Sequence, residues 1–141
     1  MNHLVYLDSR AGELEKILSG VKTMLVREFD PAQTAAQPVS PGDSLYFLRN
    51  KEEYALRGKA TVVRVLFFTN HADEDLSQPL KVMQPRLQLT EDQYNYWSAK
   101  KGILLVEFDC AHKIDVIQIV SQKISDRSDW IAFEAFSPIT E

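Results

Sequence analysis

The spacing of apolar residues predicts a short helix near the start of the chain. Asp8 and Ser9 are residue types that commonly begin helices, and residues 10 to 19 then carry apolar side chains at helical spacing. Glu13 is expected on the solvent face of this helix. Gly20 stands where a left-handed residue often ends a helix, so the chain is expected to leave the helix there.

Most of the other apolar segments alternate every second residue, which is typical of strands. The predicted strands are Thr23–Phe29, Ser44–Arg49, Tyr54–Phe68, Ile103–Asp109, Lys113–Val120 and Trp130–Phe136. Gly58 interrupts the third segment, which predicts either two strands or one long strand bent at the glycine. The fourth and fifth segments are expected to form a hairpin through a turn at residues 110 to 112.

The region between the two longest predicted strands contains a polar segment and then a helix. Residues 71 to 89 hold two prolines and are expected to follow the surface with at most one turn of helix. Thr90 and Gln93 match the capping box that opens a helix. Together the elements predict an α+β fold, a small mixed but mainly antiparallel β-barrel with two to three flanking helices, in a single domain over residues 1 to 141.

Charge and composition narrow the classes of partner. The net charge of −4 disfavours a protein that coats nucleic acid through a generally basic surface, but residues 1 to 70 carry +1 and residues 71 to 141 carry −5. A local basic face is therefore expected in the first half. The single cysteine, Cys110, cannot form an internal disulfide, and no signal peptide is visible, which favours a cytoplasmic location. No apolar run approaches the roughly 20 residues of a membrane helix, so no membrane partner is expected.

Common catalytic signatures are absent from the sequence. It contains no GxxxxGK[ST], GxGxxG, GxSxG, HExxH or CxxC pattern, and its three histidines have no metal-ligand spacing. No metal and no organic cofactor are therefore expected.

Two cations flank the junction between the first helix and the strand that follows it. Lys22 lies on the connecting loop, where its ammonium group is expected to be mobile, and Arg27 projects from the strand. Both are expected to reach one mouth of the barrel, where they would suit phosphate or carboxylate oxygens. The alternative is that Lys22 is solvated and Arg27 pairs with Glu28 or another surface acid.

The segment from Gly20 to Arg27 resembles the signature of the ASCH family, G-x-K-x-x-E-x-R. Gly20, Lys22 and Arg27 stand at the glycine, lysine and arginine of that signature, and Leu25 replaces its glutamate. The Pro-Gly-Asp turn that follows falls in the order that such domains show. The resemblance extends over about residues 1 to 120 and implies a PUA-like barrel that binds RNA or a nucleotide.

The same resemblance implies an alternative activity. ASCH-like hydrolases that act on acylated nucleosides are thought to combine a lysine, a hydroxyl residue and a carboxylate. The catalytic candidates here are Lys22, Thr23 and Glu74. Leu25 puts an alkyl group where the signature has a carboxylate, and Glu28 points to the opposite face of the strand. The alternative function is therefore a small amidohydrolase or ribonuclease that acts on modified nucleosides or RNA.

A second group of cations is interleaved with aromatic residues on the predicted strands. The cations are Arg49, Lys51, Arg57, Lys59 and Arg64, and the aromatic residues are Tyr46, Phe47 and Tyr54. Such a surface holds single-stranded nucleic acid by neutralising its backbone and stacking on its bases. Besides Lys22 and Arg27, the ligand-binding residues are expected to include Arg49, Lys51 and Lys59 as peripheral phosphate contacts.

Three functional hypotheses follow from these patterns. The first is an RNA- or nucleotide-binding domain with a basic cleft, and the second is the hydrolase or ribonuclease described above. The third is a protein-interaction module that uses the acidic second half of the chain and the aromatic residues Tyr94 and Trp97. The oligomeric state is not predicted.

Overall fold

The chain forms a mixed six-stranded sheet with three helices, and the computed structural model describes residues 1–29, 39–50, 52–70, 75–120 and 130–134. The strands are β1 (Asn2–Tyr6), β2 (Met24–Glu28), β3 (Ser44–Leu48), β4 (Ala55–Thr69), β5 (Gly102–Gln118) and β6 (Trp130–Phe133). The helices are α1 (Glu13–Leu18), α2 (Ser77–Leu87) and α3 (Glu91–Ser98). This composition confirms the predicted α+β class.

The order of the strands explains how the sheet curls. The order is β2-β5-β4-β3-β1-β6, with β1 parallel to β3 and every other neighbouring pair antiparallel. Strands β2 and β6 are therefore the two edges. Nevertheless, Arg27 of β2 places its guanidinium carbon 5.3 Å from the ring centroid of Trp130 in β6. The edges approach each other, so the sheet is curled into a half-barrel, as the prediction of a small barrel required.

Strands β4 and β5 form the long antiparallel pair at the centre of the sheet. Strand β4 is continuous, and its register shifts next to Gly58, which confirms one long strand with an irregularity at the glycine. The predicted hairpin turn at residues 110 to 112 is wrong, because β5 continues through it. Lys59 lies opposite His112 and Thr61 lies opposite Asp109, so β5 contains one extra residue there. Cys110 absorbs it as a bulge, with a φ of 55°.

Local sequence signals predicted some ends of the helices correctly, but they did not predict helix α2. Thr90 and Gln93 form the predicted capping box, with hydrogen bonds of 3.2 and 3.0 Å between each side chain and the other's backbone N–H. Gly20 has the left-handed φ, 84°, expected after a helix. Helix α2 was not predicted, because its prolines argued against it. Pro79 lies in the first turn, where the helix needs no N–H, and buried leucines dock the helix on the sheet.

Apolar side chains fill both sides of the sheet. One buried cluster takes residues from all six strands and from α1, and it occupies the inside of the curl. A second cluster holds α2 and α3 against β2 and β5. Gly58 makes room for α1, because a Cβ atom there would lie 3.3 Å from Leu18 Cδ2. Within the described ranges, no helix is long and apolar enough to cross a membrane.

Candidate functional site

A cavity of about 520 Å³ lies at the seam, the gap between the two edge strands β2 and β6. We call it the seam cavity. It is bounded by the end of β1 and the loop after it, the start of α1, β2, α3 and the first residue of β6. Its aromatic lining residues are Tyr6, Tyr96, Trp97 and Trp130, and its charged lining residues are Asp8, Arg10, Glu13, Arg27 and Asp92.

Arg27 reaches the seam cavity because β2 is an edge of the sheet. Leu25, Val26 and Arg27 all line the cavity, so both faces of the strand border it. The guanidinium carbon of Arg27 lies 5.3 Å from the centroid of the Trp130 ring, within the range of a cation–π contact. The contact joins the two edges of the sheet across the opening.

Trp130 is held from behind by a buried histidine. Its indole N–H donates to His3 Nδ1 at 3.0 Å, and His3 Nε2 lies 2.8 Å from Asp43 Oδ2. His3 is fully buried, and burial lowers the pKa of its ring although the Asp43 carboxylate acts in the opposite direction. The terminal amino group of Met1 lies 3.4 Å from the other oxygen of Asp43. Polar contacts therefore extend from the start of the chain to the cavity wall.

Lys22 is buried rather than mobile, so the expectation of a free ammonium group is wrong. The residue is 1% exposed, and its Nζ lies 3.4 Å from Glu13 Oε2. The same ammonium donates to the carbonyl oxygen of Leu87, the last residue of α2. That carbonyl has no partner within its own helix, and a cation at a helix C-terminus is favourable. Burial lowers the pKa of Lys22, and the Glu13 carboxylate opposes that shift.

Glu13 faces inward, which contradicts the expectation that it lies on the solvent face of α1. It is 9% exposed, it lines the seam cavity, and its Oε1 accepts a hydrogen bond of 2.8 Å from the Asp8 N–H. Lys22 lies outside the lining and is separated from the cavity by this carboxylate. The structure thus places Arg27 at the cavity and Lys22 behind it, instead of two exposed cations side by side.

The remaining predicted site residues are dispersed. Thr23 lies outside the lining, and its N–H donates to the Arg86 carbonyl at 3.0 Å. Arg49 is exposed next to the lining residue Asn50, and its Nε lies 3.7 Å from Glu15 Oε1. Lys59 lies outside the lining, with its Nζ 5.5 Å from the Tyr46 ring centroid. Lys51 and Glu74 fall outside the described residues.

The charges around the cavity have both signs. Two arginines and three carboxylates line it, so cations alone do not form its wall. No cluster of three or more histidine, cysteine, aspartate or glutamate side chains that could hold a metal ion occurs in the part of the chain that the structure describes.

Three of the site residues were not found from the sequence. Glu13 was assigned to solvent by its helical position, and His3 lies within an apolar run. Trp130 meets His3 across 127 positions of sequence. One signal was available for Glu13, because a carboxylate at the start of a helix that points inward requires a buried cation, and Lys22 follows the same helix.

Comparison with known proteins identifies the fold. The sequence matches no protein-family model and no curated protein. Among solved structures, the ASCH protein of Zymomonas mobilis is similar, with a TM-score of 0.61 and 14% identity over 83% of this chain and 73% of that one. Two single-substitution mutants of the same protein give TM-scores of 0.61 and 0.62, again at 14% identity. At this level of identity the similarity concerns the architecture, and this chain therefore has an ASCH-like fold.

Proposed function

We propose that the seam cavity binds a nucleobase-containing ligand, either a nucleotide or one nucleotide unit of single-stranded RNA. The observation that carries this proposal is the guanidinium of Arg27 lying against the Trp130 ring in the cavity wall. An arginine fork binds phosphate oxygens through parallel hydrogen bonds, and an aromatic face stacks on a base. Arg27 offers the phosphate contact. Because Trp130 is 7% exposed and its ring carries the guanidinium, the stacking surface is offered by Tyr96, the exposed aromatic residue of the lining.

The size and the walls of the cavity support a ligand of this class. Its volume of about 520 Å³ falls within the range of roughly 300–1,000 Å³ that is typical of small-molecule sites. Tyr96 and Trp97 meet edge to face, with ring centroids 4.9 Å apart, and add further stacking surface. The side-chain NH₂ groups of Asn50 and Gln93 supply donors of the kind that read base edges, while their amide oxygens accept backbone N–H groups.

The balance of charge argues for one nucleotide unit rather than a long tract of backbone. Three carboxylates in the lining would repel a row of phosphates, whereas they can accept hydrogen bonds from sugar hydroxyls and exocyclic amines. Arg27 then serves a single phosphate. The basic cleft of the first hypothesis is thereby reduced to the two arginines of the lining, Arg27 and Arg10, with Arg49 and Lys59 as contacts for any chain that continues outside the cavity.

Titration of the tryptophan fluorescence tests the proposal. Nucleosides, nucleoside monophosphates, a short single-stranded oligoribonucleotide and its duplex are added to the wild-type protein. A base that stacks on Tyr96, beside Trp97, is expected to quench the tryptophan emission, with monophosphates and the single strand binding more tightly than nucleosides. Arg27→Gln is expected to weaken the monophosphate roughly ten- to a hundredfold, because a charge-assisted contact is lost.

Arg64→Gln is the matched control for that variant. Arg64 is also a strand arginine, but it lies on the surface 3.4 Å from Glu107 and outside the cavity lining. Its substitution is expected to leave the affinity unchanged. Equal effects of the two variants, or equal affinity for duplex and single strand, would contradict binding in the seam cavity.

A second candidate function is hydrolysis of a modified nucleoside or RNA, and one observation favours it. Burial lowers the pKa of Lys22, which brings an amine closer to a reactive neutral state, and Glu13 joins it to the cavity. Glu13 thus supplies from α1 the carboxylate that Leu25 does not supply on β2. Against this function, the ammonium is already engaged by Glu13 and by the Leu87 carbonyl.

Turnover assays decide between binding and hydrolysis. N-acylated nucleosides and a labelled single-stranded RNA are incubated with the wild type, Glu13→Gln and Lys22→Met, after each variant is shown to be folded by circular dichroism. Hydrolysis predicts product formation by the wild type and a loss of at least a hundredfold, the scale of a general acid–base group, in both variants. Product formation by folded Lys22→Met at the wild-type rate would eliminate a catalytic lysine.

A further inference from the structure

His3 lies behind the wall of the seam cavity without touching the space inside it. It is fully buried, it is absent from the cavity lining, and both of its ring nitrogens have partners. One partner is the Trp130 indole at 3.0 Å and the other is the Asp43 carboxylate at 2.8 Å. A residue so placed can affect a ligand through Trp130.

The hydrogen bonds allow a single tautomer of His3. An indole nitrogen can donate but cannot accept a hydrogen bond, so Nδ1 must carry a lone pair and no proton. The proton of the neutral ring is therefore on Nε2, where it is donated to Asp43. A second proton on Nδ1 would place one N–H against another, and the bond that holds the indole would be lost.

The indole ring packs in the first buried cluster and is 7% exposed, and its polar group, the N–H, donates to His3. Strand β6 is a four-residue edge strand in the described part of the chain, and its sheet neighbour is β1 alone. The ring it carries forms the side of the seam that meets Arg27. His3 is thus the polar group that sets the direction of the indole within the cavity wall.

We propose that His3 is a positioning residue for the seam cavity, whose fixed neutral tautomer holds the Trp130 indole against Arg27. The proposal rests on the proposed function, because its effect on a ligand presupposes that the cavity binds one. Protonation of His3 releases the indole, so ligand affinity falls in acid even though no group that touches the ligand has titrated.

Burial and the charged groups around His3 determine the pH at which its ring is protonated. Asp43, from the turn before β3, favours the protonated ring, whereas Arg27 of β2 and the amino group of Met1 disfavour it. Burial is the largest influence and lowers the pKa of His3 below its ordinary value of 6.5. The His3 ring is therefore neutral above about pH 6.5. As the pH falls further and passes the lowered pKa, the ring is protonated and the indole is released.

Nuclear magnetic resonance of the ligand-free protein tests whether the neutral His3 ring holds the indole N–H. The ¹⁵N shifts of the His3 ring are expected to show a bare Nδ1 and a protonated Nε2 at pH 7.5. The Trp130 indole N–H signal, assigned with Trp130→Phe, is expected to shift on acidification with the same midpoint as the ring. A proton on Nδ1 at pH 7.5, or an indole signal that ignores the titration of His3, would overturn the proposal.

Affinity measurements then test the effect on the cavity. His3→Asn places a side-chain oxygen close to where Nδ1 was, so it keeps an acceptor for the indole but cannot titrate. We expect it to bind nucleoside monophosphate like the wild type at pH 7.5 and to lose the additional decline that the wild type shows below pH 6.5. His3→Leu, which has no acceptor, is expected to bind roughly three- to tenfold more weakly at pH 7.5.

The exposed histidine His112 provides the control, because His112→Asn removes an imidazole outside the cavity and should leave the pH profile of binding unchanged. A purely structural role for His3 would lower the melting temperature of the asparagine variant without altering its pH profile, and that result would contradict the proposal. If the wild type binds no nucleobase ligand at all, the proposed function fails. The hydrogen bond between His3 and the indole is tested separately, by the response of the indole signal to pH.

Discussion

Lys22 and Arg27 stand five positions apart, and their environments differ completely. Lys22 is 1% exposed, with its ammonium between the Glu13 carboxylate and the end of α2. Arg27 is partly exposed in the cavity wall, with its guanidinium on an aromatic ring. The first cation connects structural elements, and the second lines the seam cavity. What a cation can do depends on what covers it.

The difference comes from the structural element that lies next to each side chain. The loop carrying Lys22 passes beneath the end of α2, where an unpaired carbonyl attracts the ammonium. Strand β2 is an edge of the sheet, so Arg27 meets a gap instead of a neighbouring strand. Experiments can distinguish the two roles, because substitution of Lys22 should lower stability and substitution of Arg27 should lower ligand affinity.

The largest expected effect is the loss of stability on Lys22→Ala. Removing one partner of a buried ion pair leaves the other charge unpaired, which costs about 3–5 kcal/mol in unfolding free energy. Urea denaturation monitored by circular dichroism would measure it. Lys16→Ala is the control, because Lys16 also donates to a backbone carbonyl near the end of α2, at 3.2 Å, but is not buried. Its expected cost is about 1 kcal/mol.

Replacing both members of the pair sharpens the same test. The double variant Lys22→Met with Glu13→Leu is expected to recover most of the lost stability, because apolar side chains of similar volume remove both charges from the interior. A double variant less stable than Lys22→Ala would show that the pair holds the elements by more than charge compensation.

Arg27→Gln is expected to have a smaller effect on stability. A partly exposed cation–π contact contributes about 0.5–1 kcal/mol, and Arg27 is not buried, so the unfolding free energy should fall by less than for Lys22→Ala. The ligand affinity of the same variant should fall far more, as described above. A loss of stability equal to that of Lys22→Ala would remove the contrast between the two cations.

The smallest expected effect belongs to Arg49, an exposed cation at the rim. Its contact with Glu15, at 3.7 Å on the surface, contributes at most about 1 kcal/mol. If Arg49 touches a phosphate of single-stranded RNA, Arg49→Gln should reduce the slope of log affinity against log salt by about 0.7. Binding of a mononucleotide should not change, since that ligand does not extend to the rim.

Local signals in the sequence predicted the parts of the fold that depend on neighbouring residues. The capping box at Thr90, the left-handed Gly20 and the alternation that places Arg27 on one face all follow from short-range geometry. The bulge at Cys110 did not follow, because it is defined by the partner strand β4. Seen alone, that segment interrupts two strand-like runs, which is why a turn was predicted there.

The candidate site was less predictable than the fold for the same reason. Arg27 was identified from its strand, whereas Glu13, His3 and Trp130 acquire their roles through contacts between distant segments. Helix α2 shows the same dependence, since its burial against the sheet overrides the prolines in its sequence. The resemblance to the ASCH signature indicated the junction that carries both cations, but it did not show which of the two is covered.

Gly58 lets the end of α1 lie close to the sheet. A methyl group there would press on Leu18 of α1 and Phe47 of β3, at 3.3 and 3.4 Å, and on the His112 carbonyl oxygen at 3.4 Å. The Leu18 side chain would have to give way by a few tenths of an ångström, at the end of α1 opposite Glu13. The missing side chain at Gly58 therefore sets how tightly the helix that carries Glu13 packs on β4.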